Sequence, residues 1–215
     1  MALVTYDNIK KVWGSHIPLT NAAMEILKPE SVIECGCGNF STPILSAAKR
    51  HTVIEHNLEW ANHCLNRWPD ADYKLQPVFE TGHNDASREE LNQILDWYAE
   101  WAVTLDPVDL LFVDTVTKCR VPAFDMLAPQ AEVIILHDTD PDSWQHYGFN
   151  ALYTGGLHHY QLQPLGKVNG HKIEWTSLFS RKRLCLGDWE VKIKPPAAGL
   201  WGPDVPWKFV EIDND

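Results

Sequence analysis

The sequence predicts an α/β protein: a three-layer sandwich with a mostly parallel seven-stranded sheet, helices on both faces and an antiparallel final strand. Three observations predict it. Short β-branched runs alternate with segments of helical period between residues 31 and 140, and that alternation implies parallel strands joined by right-handed crossovers. The strand runs are apolar throughout, as in strands covered on both faces. Asn169-Gly170, a strong hairpin signal, then separates two strand-like stretches at 159–168 and 171–180, so the chain reverses into an antiparallel closing pair.

Taken in order, residues 17–28 carry apolar positions at helical spacing and Pro29 closes the run. Ser31–Cys35 is a buried strand ending in glycines. A helix is expected over 41–50, a second strand over 52–55 with its helix over 58–68, and a third strand over 73–79. Residues 87–104 have a helical period, with Ser87 and Glu90 at capping-box spacing. Residues 109–114 and 132–137 are the clearest strands, each ending at a polar residue where a buried strand leaves the sheet. From Arg181 the character changes: five of the 18 basic residues fall between Arg181 and Lys194. Pro195, Pro196, Pro203 and Pro206 then break any long element. The expected organisation is one domain over 1–180, with a helical N-terminal segment over 1–30, and an appendage over 181–215.

Composition narrows the function. The 215 residues suffice for one α/β domain with a sizeable core. A formal net charge of −11 argues against a sequence-blind grip on phosphate backbones, so no nucleic-acid partner is expected, whereas a small-molecule substrate is compatible. No apolar run reaches the roughly 20 residues of a membrane span, and Met1–Lys11 has no apolar core of a signal peptide. Five scattered cysteines form no disulfide framework and point to a reducing cytoplasm. Cys35 and Cys37 make a C-x-C pair with no second pair at zinc-ligand spacing. The ten Trp residues are read as core filling. No motif fixes an oligomeric state.

The strongest local signal is the run Val32–Thr42, where a strand enters Gly36-x-Gly38 and then a helix start. Glycines there permit a tight turn and close backbone approach to a ligand. Ser41 stands where a dinucleotide fingerprint wants a third glycine, and the Glu34 carboxylate at the strand end would repel a pyrophosphate. A carboxylate suits a ligand bearing ammonium and sulfonium charges. Glu55 ends the next strand about 20 residues on, the position from which an acidic side chain meets ribose hydroxyls.

Glu34-x-Gly36-x-Gly38 resembles motif I of the class I S-adenosylmethionine (SAM)-dependent methyltransferases, a Rossmann-like family, and Ile54–Trp60 is similar to their second motif. Leu111–Asp114, then Arg120, Leu127 and Ile134–Asp138 resemble a subgroup in which an Asp ends strand four, an Arg opens the next helix and an Asp follows strand five. Thr176–Phe179 looks like that subgroup's final strand, so the resemblance spans residues 31–180. It implies SAM as cofactor, with Gly36, Cys37, Gly38, Ser41 and Thr42 around the methionine moiety, Glu34 orienting it, and Glu55, His56 and Asn57 at the ribose. Two departures stand out. The usual Pro-Gly-Gly turn before strand five is Ala128–Ala131 here, and the adenine-contacting segment falls somewhere within Phe79–Asp85, with Asn84 and Asp85 as candidates.

Strands four and five would end beside the cofactor, which brings Asp114, His137, Asp138, Thr139 and Asp140 to the substrate entrance. His137 is a candidate general base, its ordinary pKa being near neutrality, or else a residue that orients the loop. Asp114 and Asp138 are alternatively oxygen ligands for a divalent cation, as in metal-dependent O-methyltransferases. That pattern wants an acidic or amide side chain after Asp138, and this chain has Thr139, so a cation is not favoured. His158 and His159 point to opposite faces of a strand and make no metal pair. Arg181, Lys182 and Arg183 are a solvated strand end or a contact for an anionic substrate. The expected function is O- or N-methylation of a small-molecule or carbohydrate-type acceptor. The rivals are a SAM-binding protein without methyl transfer, a dinucleotide-dependent oxidoreductase, and an interaction module that keeps only the fold.

Overall fold

The computed structural model describes residues 15–76, 87–168, 171–193 and 205–213. The expectations for Met1–Lys11, for the third strand beyond Gln76, for the adenine segment, for the Asn169-Gly170 turn and for Pro195, Pro196 and Pro203 lie outside the described residues.

The described strands are β1 (Ser31–Cys35), β2 (Arg50–Glu55), β3 (Asp72–Leu75), β4 (Val108–Val113), β5 (Ala131–His137), β6 (His158–Pro164), β7 (Lys167–Val168), β8 (His171–Lys172), β9 (Thr176–Ser180) and β10 (Trp207–Ile212). Eight of them form one sheet in the order β10-β6-β9-β5-β4-β1-β2-β3, while β7 and β8 make a separate two-residue ladder. The pairs from β3 across to β5 are parallel. β9 runs antiparallel to both β5 and β6. The mostly parallel sheet with its antiparallel closing strand therefore matches the sequence reading. One strand was not anticipated: β10, from the segment read as an appendage, pairs antiparallel with β6 and extends the sheet edge.

The helices are α1 (Ile17–Leu27), α2 (Ser41–Leu45), α3 (Leu58–Leu65), α4 (Arg88–Ala102), α5 (Thr117–Leu127), α6 (Pro141–Tyr147) and α7 (Leu186–Lys192). Alternate residues of each strand feed the two faces. Along β4, Leu111 and Val113 join a core built with α4 and α5, while Leu110 and Phe112 join one built with α1, α2 and α7. The Ser87–Glu90 capping box is formed at the start of α4. α2 stops at Leu45, well short of Arg50, whose N–H donates to the Glu30 carbonyl at 2.9 Å where β2 begins. Where the family's turn before strand five would hold glycines, Arg181 donates to the carbonyls of Ala128, Pro129 and Ala131.

Trp189 is buried, as core filling requires, but Trp60 is 36% exposed. His159 is buried and pairs with Ser177, while its neighbour His158 faces Glu211 across the sheet edge. The five cysteines are all free. No helix among the described residues is long and apolar enough to cross a membrane.

Candidate active site

The glycine loop forms where β1 gives way to α2, and its two glycines have different reasons to be there. Gly36 has φ +90°, and a Cβ on it would lie 2.2 Å from the Asp114 carbonyl oxygen. Its N–H donates to the Ile54 carbonyl at 2.8 Å. The fold itself thus needs this glycine, where the chain leaves β1 beside the end of β4. At Gly38 a Cβ would meet Ser41 Oγ at 3.4 Å, an ordinary contact, so nothing in the protein forbids a side chain there.

Glu34 shares a strand face with Val32, the face covered by α2, and it is fully buried. Its carboxylate accepts from Thr42 Oγ1 at 3.0 Å and lies 3.0 Å from His51 Nε2. Thr42 Oγ1 in turn accepts from the Gly38 N–H at 2.9 Å. Glu34 and Thr42 stand behind the loop and set its shape rather than facing a ligand. Spacing along a strand fixes a residue's position but not which face its side chain takes.

Glu55 ends β2 with its carboxylate turned to the loop. It accepts from the N–H groups of His56 (2.8 Å), Asn57 (2.9 Å) and Cys37 (3.1 Å). Burial pushes its pKa up, but the hydrogen bonds from His56 and Asn57 outweigh it and hold the group below its usual value. Asn57 caps α3 by accepting from the Trp60 N–H at 2.9 Å, and Trp60 Nε1 donates to the Cys37 carbonyl at 2.6 Å. Gly36, Cys37, Glu55, His56, Asn57, Trp60 and Arg120 line a hollow of about 580 Å³.

At the carboxyl ends of β4 and β5 lies a buried ionic cluster. Arg120, delivered by α5, places one nitrogen 2.8 Å from Asp114 Oδ1 and another 2.8 Å from Asp138 Oδ2. It also donates to the carbonyls of Thr115 and His137 and lies 4.1 Å over the Tyr147 ring. Asp138 takes φ +57°, which turns the chain sharply after β5. His137 Nδ1 is 3.2 Å from both Asp114 Oδ1 and Asp138 Oδ1, and its Nε2 is 2.8 Å from Ser15 Oγ. Burial pulls the His137 pKa down, but Asp138 and Asp114 outweigh it and raise it to about 9. Asp114 is held well below the usual carboxylate range: burial raises it, and His137 with Arg120 overcomes that. The two carboxylates thus favour the imidazolium form of His137, against the neutral form that a general base needs.

Four neighbours escaped the sequence reading: Ser15, His16, Tyr147 and Glu174. His16 packs its ring edge-on against His137 (4.6 Å between centroids, 80°) and against Phe112 (5.2 Å). It is buried, and neither ring nitrogen has a hydrogen-bond partner among the described residues. Burial and the adjacent His137 lower its pKa to about 3, so it is neutral. Glu174 is half-buried, and burial together with Asp138 raises its pKa to about 7. The polar doublet Ser15-His16 ahead of an apolar helix was a weak signal. For Glu174 there was none, since only the pairing of His137 with Thr176 brings it to the site.

His16, the loop from Gly36 to Ser41, Trp60, Asp114, His137, Asp138, Tyr147 and Glu174 enclose a cavity of about 410 Å³. It shares Gly36, Cys37, Trp60 and Asp114 with the hollow in front of Glu55. Thr139 and Asp140 turn elsewhere. The Thr139 N–H donates to the Trp175 carbonyl, and Asp140 is held by Lys172 at 2.6 Å.

Among solved structures the chain is similar to an O-methyltransferase from Bacillus cereus in complex with SAH, with a TM-score of 0.54 and 15% identity over 81% of this chain and 84% of that one. It is also similar to the N-methyltransferase NodS from Bradyrhizobium japonicum WM9, with a TM-score of 0.51 and 14% identity over 78% of this chain and 94% of that one. NodS in complex with S-adenosyl-l-homocysteine gives a TM-score of 0.50 at 14% identity, over 76% and 83% of the two chains. No protein-family model and no curated protein matches the sequence. The likeness shows the fold: the α/β sandwich that these methyltransferases share.

Proposed function

We propose that this chain is an enzyme that transfers a methyl group from SAM to an oxygen or nitrogen of a small-molecule acceptor, carbohydrate-type acceptors included. The observation that carries the reading is the continuity of two spaces around the glycine loop. The hollow before Glu55 suits an adenosine, and the cavity bounded by the loop, Asp114, His137 and Asp138 suits the methionine end with an acceptor beside it. SAM supplies an electrophilic methyl on sulfur. The chain's own part is alignment and charge. Gly36, Cys37, Gly38 and Ser41 offer loop backbone along the ligand, and Glu55, His56 and Asn57 stand at the ribose end. Asp114 and Asp138, neutralised by Arg120 and His137, form a rigid polar wall, while His16, Tyr147 and Glu174 complete the acceptor side.

Calorimetric titration with S-adenosylhomocysteine and with NAD tests the cofactor. Tight binding of the former and none of the latter is expected, and the reverse overturns the reading. Incubation with methyl-labelled SAM and fractions of cell extract then separates an enzyme from a binder, because transfer of label to a low-molecular-weight fraction is expected only of an enzyme.

A further inference from the structure

Among the described residues, neither nitrogen of His16 has a hydrogen-bond partner. A buried imidazole with no hydrogen bond at either nitrogen gives up hydration without compensation. The ring stands beside His137 and near Asp114, and one ligand-type atom from each of the three residues lies within 4.8 Å of the others. His137 Nδ1 also fails to make a well-aligned hydrogen bond, although two carboxylate oxygens lie 3.2 Å from it. That distance is close to the separation of two neighbouring donors held at about 2.1 Å by one ion. The opposite nitrogen, Nε2, is anchored at 2.8 Å by Ser15 Oγ, the kind of outer contact that fixes the ring of a metal-bound histidine.

We propose that His16, Asp114 and His137 form a binding site for one divalent transition-metal ion in the lining of the cavity. Two imidazoles and one carboxylate suit zinc, iron, cobalt or nickel, and do not suit magnesium or calcium, which take oxygen donors. This set differs from the all-oxygen pattern weighed from the sequence. There the residue after Asp138 would have to supply an acidic or amide group, and it is Thr139, whose hydroxyl accepts from Gln161 at 3.3 Å. All three residues line the cavity. Arg120, 2.8 Å from Asp114 Oδ1, offsets part of the carboxylate charge. The site rests on its own donors and not on the methyl-transfer reading.

The test uses the full chain, stripped of metal with a chelator and dialysed. Titration with Co²⁺, followed by calorimetry and visible absorption, should show one equivalent bound with d–d bands of a nitrogen–oxygen site. Zn²⁺ should displace it, and excess Mg²⁺ should not. His16→Ala should weaken Co²⁺ binding at least tenfold, and Ser15→Ala about tenfold. His146→Ala, at an exposed histidine, should change nothing. X-ray absorption on the Zn²⁺-loaded wild type should count two imidazoles, a reading that needs no variant to fold. Absence of stoichiometric binding, binding undiminished by His16→Ala in a folded variant, or fewer than two imidazoles overturns the site. Titrating the same samples with S-adenosylhomocysteine reports on the cofactor reading separately.

Discussion

His137 Nδ1 lies 3.2 Å from Asp114 Oδ1 with both groups buried at the carboxyl edge of the sheet, and this pairing ties the stability of the metal-free protein to pH. The folded pKa of His137 is raised to about 9 from an ordinary 6.5. A raised pKa means that the folded state holds the proton more tightly than the unfolded chain. The stabilisation is fully present below about pH 6.5 and is lost as pH rises through about 9, with a limiting slope of about 1.4 kcal/mol per pH unit for one proton. Denaturant melts of the chelated protein between pH 6 and 10 should show this decline. In His137→Asn it should be absent, and a wild-type stability flat across that window would refute the pairing.

Arg120 is held by two carboxylates and two carbonyls, and it is buried. Removing one partner of a buried ionic network leaves the others uncompensated, which costs about 3–5 kcal/mol. Arg120→Met should therefore lower stability by that order, and Arg120→Lys should recover little of it, since one ammonium cannot span both carboxylates. Urea unfolding gives the comparison, and a loss under about 1 kcal/mol in Arg120→Met would show the cluster to be loosely coupled.

The two loop glycines should respond differently to substitution. Gly36→Ala meets a positive φ and a backbone oxygen 2.2 Å from the new Cβ, so a loss of about 2–4 kcal/mol in stability is expected. Gly38→Val meets no such obstacle within the protein and should keep its melting temperature within a few degrees while losing measurable affinity for S-adenosylhomocysteine. Thermal melts paired with calorimetry separate the two effects. Equal destabilisation in both variants would mean that neither glycine serves a ligand.

Much of this architecture was legible because it is written locally. Strands that are apolar on both faces, a capping box at Ser87 and a glycine pair between strand and helix each declare themselves within about ten residues. β10 does not: Trp207–Ile212 follows proline-rich sequence, and what makes it a strand is the free edge of β6, more than 40 residues earlier. The same holds inside the site. Glu55 was legible from its spacing to the loop. Ser15 reaches His137 across 122 residues of sequence, and His16 arrives with it. Such approaches are made by the packing of α1 on the sheet, and no short-range pattern encodes them. Glu34 shows the converse: its place at the end of β1 was legible, but its full burial behind the loop follows from packing.

Glu55 accepts three backbone N–H groups, from Cys37, His56 and Asn57, so its loss should be felt twice. Glu55→Ala leaves those donors without their acceptor and loosens the junction between the glycine loop and the start of α3, at a cost of about 1–3 kcal/mol in stability. It also removes the charged acceptor that faces the hollow where a ribose would lie. Losing hydrogen bonds to a charged group should weaken binding of S-adenosylhomocysteine by about 1.5–3 kcal/mol, roughly ten- to 150-fold. Glu55→Gln separates the contributions. Its amide oxygen can still receive some of the backbone bonds, so stability should largely return, while a neutral group recovers only part of the affinity. Calorimetry on the three proteins, each checked for folding by circular dichroism, gives the comparison. If both variants bind as tightly as the wild type, Glu55 shapes the loop and nothing more, and the ribose must be held elsewhere.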